Sequence, residues 1–222
     1  PLASALGAAE FWYPLLHFMQ PGILWPEMAA LKPMIFVAAV VLVRTIDRGP
    51  PNGDGSPFGW PALNWLLVFV AIQVISVYRS GLAAIAAEFM FFLPLTVFTL
   101  AAIRVVADAS QLRRFLYGTI AGCMVVIVYG VLAALLKWES AVGGRAGAYG
   151  MYENHNDFTF IILMVLPFVV ACWRDRPAWP IRWLLVACGL TCVVGVFLSL
   201  SRGGMLALML QCAIMLLAFA PR

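Results

Sequence analysis

The fold class this sequence predicts is all-α, a polytopic transmembrane helical bundle of about seven spanning helices with an interfacial N-terminal segment. Three observations carry that expectation. Of 222 residues, 64% are hydrophobic and 11% charged, with a mean hydropathy of +0.97, whereas ordinary soluble domains carry roughly 25% charged residues. Several uncharged runs approach the roughly 20 helical residues needed to cross a hydrocarbon core about 30 Å thick. The runs are continuously apolar rather than alternating, which excludes the strands of an outer-membrane barrel. In lipid each crossing must satisfy its own backbone hydrogen bonds, and a helix does so locally.

Taken in order, residues 1–9 read as the remnant of an earlier helix, and FWYPLLHFMQPGILWPE at 11–27 suits the interface, being rich in aromatics and prolines. Spans are predicted over 28–43, which carries Lys32, over 61–78, and over 81–103, which is interrupted by Glu88. Glu88 lies near the outer end of its run, where it can reach the interface and pair with Arg79. The cleanest span is 115–136. The run 158–173 is short and contains Pro167, so it must borrow loop residues at either end; 183–200 and 203–221 complete the set. The chain starts at Pro1 without a signal-peptide pattern and stops at Arg222 directly after an apolar run. It is therefore expected to be one membrane domain, 1–222, forming the N-terminal portion of a longer protein.

Basic residues set the orientation. With the N-terminal side of 28–43 outside, the inner loops hold nine cations: Arg44, Arg48, Arg104, Arg113, Arg114, Arg174, Arg176, Arg182 and Arg222. The outer side holds five: Lys32, Arg79, Lys137, Arg145 and Arg202. The positive-inside bias then puts two polar stretches, GGRAGAYGMYENHND at 143–157 and SLSRGG at 199–204, on the external face. The formal charge of +4 consists mostly of such topology signals. No basic patch interleaved with exposed aromatics suggests nucleic acid. Cys123, Cys172, Cys188, Cys192 and Cys212 lie in or at the ends of apolar runs without a CxxC or Cys/His cluster, which argues against a disulfide framework or a metal site.

The candidate binding residues sit in the two polar stretches. Arg145 lies among Gly143, Gly144, Gly147 and Gly150, which permit positive φ and close approach of backbone to a ligand. The stretch reads equally as a flexible external loop or as an anion cradle of guanidinium and free N–H groups. Asn154, His155, Asn156 and Asp157 precede an apolar run, and Asn156 or Asp157 is suited to cap its helix. Two asparagines and a histidine exceed what a cap requires; beside Tyr149 and Tyr152 they suit sugar hydroxyls and the stacking of a ring on a sugar face. His155 reads as a binding or capping group more readily than as a general base, since no carboxylate is visibly placed to orient it. Arg202 follows Ser201 and precedes Gly203 and Gly204 between two long apolar runs. A helix N-terminus with an added guanidinium makes a compact phosphate site, and the bland alternative is an interfacial anchor.

GRAGAYGMYENHNDFTFIILMVLPF at 144–168, followed by FLSLSRGGMLAL at 197–208, resembles the O-antigen ligase and polymerase family of bacterial inner-membrane proteins. The likeness is nearest to the O-glycosylation ligases of exosortase systems, in which an Asn-Asn-Asp-Phe-like motif opens an apolar helix ending in Leu-Pro. Here it stands as Asn154-His155-Asn156-Asp157-Phe158, with His155 interrupting the amides. LLHFMQPGILWPEMAALKP at 15–33 also resembles the start of such proteins.

The resemblance implies transfer of a glycan from undecaprenyl pyrophosphate to a hydroxyl of lipid A core, of another glycan or of a protein, on the periplasmic face. It implies no cofactor and no metal. The family's base is attributed to a histidine in a large periplasmic loop nearer the C-terminus, a role that is not carried onto His155 or His17. The fragment alone is expected to bind without turnover, with Arg145 and Arg202 neutralising charge on the leaving pyrophosphate. The competing class is a transporter or lipid-linked glycan flippase with Arg145, Arg202 and Glu88 along a substrate path, although no internal repeat supports it. A purely structural membrane subunit is the weakest of the readings.

Overall fold

A computed structural model of the chain describes residues 9–24, 109–138 and 145–219, together with single helical positions at 68, 71, 72 and 75. The predicted spans at 28–43, 61–78 and 81–103 lie outside the described residues apart from those single positions. The possible Glu88–Arg79 pair lies wholly outside them. The chain divides into two compact units, Pro1–Met34 with Arg113–Arg222, and Ile35–Leu112. Of the second unit, Val68, Ala71, Ile72 and Ile75 are helical and exposed. Everything below concerns the first unit.

Every described element is helical: α1 (Ala9–Met19), α2 (Ala109–Leu135), α3 (His155–Arg174), α4 (Trp179–Ser199) and α5 (Arg202–Phe219), with a single turn at Pro21–Leu24 and a 3-10 turn at Gly150–Tyr152. The 27, 20 and 21 residues of α2, α3 and α4 are long and apolar enough to cross a membrane, and α5 is apolar over the shorter stretch Arg202–Leu217. Helix α3 attains its length as its run of 158–173 required, by recruiting His155, Asn156 and Asp157 at its start and Arg174 at its end.

Helix α3 is the axis of the unit. Phe158, Ile161, Ile162 and Val165 are fully buried, and their i, i+3, i+4, i+7 spacing marks the stripe facing its neighbours. Helices in lipid gain little from burying apolar surface against one another, so their contact depends on close packing and hydrogen bonds. Small residues supply the closeness. A Cβ on Gly130 of α2 would lie 2.5 Å from the Phe158 ring, and one on Gly195 of α4 would lie 2.8 Å from Ile162. A Cβ on Gly204 of α5 would collide with the Thr159 methyl. Helices α2 and α4 thus flank α3 in antiparallel fashion, while α5 starts where α3 starts and runs parallel to it.

The N-terminal segment is a short helix packed along α2 and not a crossing. Gly118 of α2 meets the Phe11 carbonyl, and a Cβ on Gly122 would lie 2.6 Å from the Leu15 carbonyl oxygen. Two glycines one turn apart let the backbones of α1 and α2 touch. Burial lowers the pKa of His17, in the last turn of α1, to about 4. The imidazole is therefore neutral near pH 7 and adds no cation.

One end of this unit gathers the end of α2, the 145–154 segment, the start of α3, the end of α4 and the start of α5; it is called the polar end below. At the far end Arg113 joins the start of α2 to Asp175, just past α3, by an ion pair of 2.7 Å. The Arg182 guanidinium stands 4.9 Å over the Trp173 ring, and Trp179 and Trp183 meet edge-on with centroids 6.1 Å apart.

Candidate functional site at the polar end

Helix α4 ends at Ser199, and Leu200 follows in the left-handed conformation, φ 52°. That conformation costs a branched residue roughly 1–2 kcal/mol. It lets the chain reverse across Leu200 and Ser201 into α5. The last carbonyls of α4 lack intrahelical partners and form the negative end of its dipole. Arg145 answers both needs: Nε donates to the Ser199 carbonyl at 3.1 Å and Nη2 to the Leu200 carbonyl at 3.2 Å. Beside it the Ala146 N–H donates to the Leu198 carbonyl at 2.9 Å. The guanidinium is half-buried and acts first as a cap on a neighbouring helix, leaving its remaining N–H groups for another partner.

Ser201 caps α5. Its hydroxyl oxygen accepts the Gly204 N–H at 3.2 Å, and its O–H donates to Asn156 Oδ1 at 3.0 Å, tying the starts of α5 and α3 together. Below it, buried Ser199 Oγ accepts the Ser201 N–H at 3.2 Å and lies 2.9 Å from Thr159 Oγ1. The cap of α3 is Asn154, whose Oδ1 accepts the Asn156 N–H at 2.8 Å. This corrects the expectation that Asn156 or Asp157 caps it. The helix starts two or three residues earlier, placing Asp157 in the first turn, where a carboxylate complements the dipole.

His155 Nδ1 lies 3.0 Å from the Ala146 carbonyl. A carbonyl only accepts, so Nδ1 carries a proton, and the neutral tautomer with its proton there offers Nε2 as an acceptor. The Tyr149 hydroxyl donates to the Met19 carbonyl at 2.8 Å, and its ring meets Tyr129 edge-on at 5.0 Å. Both faces of its chemistry are thus engaged in fastening the loop to α1 and α2. Burial raises the pKa of the Tyr149 phenol, with Tyr129 adding to the rise, and burial likewise raises that of Tyr152. Both stay neutral donors. Among the loop glycines, Gly150 has φ 62°, and Gly147 serves close approach, since a Cβ there would lie 2.7 Å from the Glu153 carbonyl oxygen. Gly143 and Gly144 lie outside the described residues.

Arg202, the first residue of α5, is exposed, and its side chain makes no hydrogen bond, ion pair or ring contact to another described residue. Gly203 beside it has nothing within 4 Å of a would-be Cβ, so the first turn of α5 is open from that side. The polar end therefore brings together Arg145, Asn154, His155, Asn156, Asp157, Ser201, Arg202 and Gly203. Tyr149 sits on the α1 side of the group. Among the described residues no group of three His, Cys, Asp or Glu side chains is gathered in a way that could hold a metal ion. Sequence reasoning missed the buried hydroxyl pair of Thr159 and Ser199 that joins α3 to α4; a threonine inside an apolar run and a serine opening a polar stretch are the only signals, and they say nothing of pairing.

The architecture and the polar end define a helical membrane protein with a cationic, amide-lined face at one end. The chain matches no family model, no curated protein and no solved structure.

Proposed function

We propose that the polar end binds the pyrophosphate of a polyprenyl-linked glycan, and that the protein transfers the glycan to an acceptor hydroxyl on the periplasmic face of a bacterial inner membrane. The observation that carries this reading is the approach of two cations to one turn: Arg145 holds the Leu200 carbonyl, and Arg202 follows two residues later, exposed and unpaired among the described residues. When the bond from the anomeric carbon to the pyrophosphate oxygen breaks, negative charge grows on the leaving group. Arginine forks and free helix N–H groups stabilise that charge. Asn156 and the Nε2 of His155 supply hydrogen bonds suited to sugar hydroxyls. The acceptor's proton needs a base, which the reading does not assign to His155.

Charge at the two ends supports the external placement. The far end carries Arg113, Arg114, Arg174, Arg176 and Arg182, and the polar end Lys137, Arg145 and Arg202. The end richer in cations belongs inside.

The test is binding of an undecaprenyl-pyrophosphate-linked glycan to the full-length protein in lipid nanodiscs. Arg202→Ala is expected to weaken it by about 10- to 100-fold, since hydrogen bonds to charged groups contribute about 1.5–3 kcal/mol. Its melting temperature should not move. Unchanged donor binding would remove Arg202 from the site; donor that crosses the bilayer without being transferred would favour transport.

A further inference from the structure

Pro167 interrupts α3 without ending it. Proline has no N–H, and its ring crowds the carbonyl four residues earlier, so the Leu163 oxygen loses its helical donor inside a helix apolar enough to cross a membrane. Lipid provides no substitute, and a neighbouring helix must satisfy the freed group. It does. Gln211, well inside the apolar run of α5, donates through Nε2 to the Leu163 carbonyl at 2.8 Å. The proline and the glutamine belong to separate helices, and the carbonyl orphaned by one is the acceptor used by the other.

From this juxtaposition we infer that Gln211 is a positioning residue: a side-chain amide that replaces the hydrogen bond deleted by Pro167 and thereby fixes the height of α5 on α3. Three contacts follow one another down this helix pair. Ser201 bonds Asn156 at the polar end, Gly204 packs on Thr159 below it, and Gln211 bonds Leu163 deepest. Apolar side chains alone hold height poorly, because a Leu or Met surface in lipid slides with little penalty. A hydrogen bond to a carbonyl that has no other donor does not slide. Ten residues of helix separate Ser201 from Gln211, about 15 Å at 1.5 Å per residue. A lock at Gln211 therefore controls where the N-terminal turn of α5, with Arg202 in it, stands relative to Asn156. Among the described residues the buried Gln211 Oε1 atom has no partner, so it is the donor side of the amide that fastens α5 to α3. The inference concerns helix height and does not depend on what the polar end binds.

Pro167→Ala supplies the decisive comparison, since an alanine N–H can donate to Leu163 and make the glutamine dispensable. Four proteins would be prepared in nanodiscs: the parent, Gln211→Leu, Pro167→Ala and the double variant. Melting temperature and amide hydrogen exchange over residues 201–205 would be followed. In the parent background Gln211→Leu should lower the melting temperature by roughly 3 °C and speed exchange at the Gly204 and Met205 amides several-fold. In the Pro167→Ala background the same substitution should change neither. Equal losses in both backgrounds would reduce Gln211 to ordinary packing and overturn the inference. So would a melting shift that leaves exchange at 201–205 untouched. If Gln211→Leu fails to fold, recovery of the double variant still supports the inference, and failure of both overturns it.

Discussion

The two ends of the unit use arginine differently. At the far end Arg113 faces Asp175 with the side chains 55% and 48% exposed, and Arg182 lies over an indole ring. These are side-chain contacts at the rim, where water competes and the backbone does not depend on them. At the polar end Arg145 holds the carbonyls of Ser199 and Leu200 at the end of α4, Ser201 ties the starts of α3 and α5 together, and Asn154 caps α3. There the polar groups serve the backbone, and the guanidinium of Arg202 has no partner among the described residues. That difference is what the proposed ligand site rests on: its anion would meet Arg202 rather than the arginines at the far end.

The contrast can be tested by a series of substitutions in graded order of effect. Gly204→Leu places a side chain where the Thr159 methyl already stands, and should destabilise the protein by about 3 kcal/mol or more, or prevent folding, in thermal melts. Arg145→Ala removes the cap from α4 and should lower stability by about 2 kcal/mol while also weakening donor binding. Arg113→Ala breaks only a solvent-screened pair and should cost about 0.5 kcal/mol in the same assay. If Arg113→Ala proves as damaging as Arg145→Ala, the distinction between the two ends fails. If Arg145→Ala alters binding and leaves the melt unmoved, its capping contacts are incidental.

The apolar runs at 115–136, 158–173 and 183–200 were legible because lipid imposes length and continuity, and the structure places helices over each. The ends were less so. Helix α2 begins six residues before its uncharged run, at Ala109, because Arg113 and Arg114 reach water from within its first turns. The start of α3 was misjudged because Asn154, Asn156 and Asp157 all favour caps, and which one serves depends on where the loop arrives. The clustering of Arg145 and Arg202 at one end could be read from helix count alone. What each touches could not: a guanidinium bound to backbone carbonyls 54 and 55 residues away leaves no trace in local pattern. Pro167 is legible in its run, but its partner is not, since a single glutamine in an apolar run does not say which carbonyl it faces.

Because Leu200 and Ser201 alone link them, the end of α4 and the start of α5 cannot lie on opposite sides of a bilayer. Fully extended, two residues reach about 7 Å, far less than a hydrocarbon core of about 30 Å. Whatever depth the end of α4 takes, the first turn of α5, with Arg202 in it, is held at that same depth.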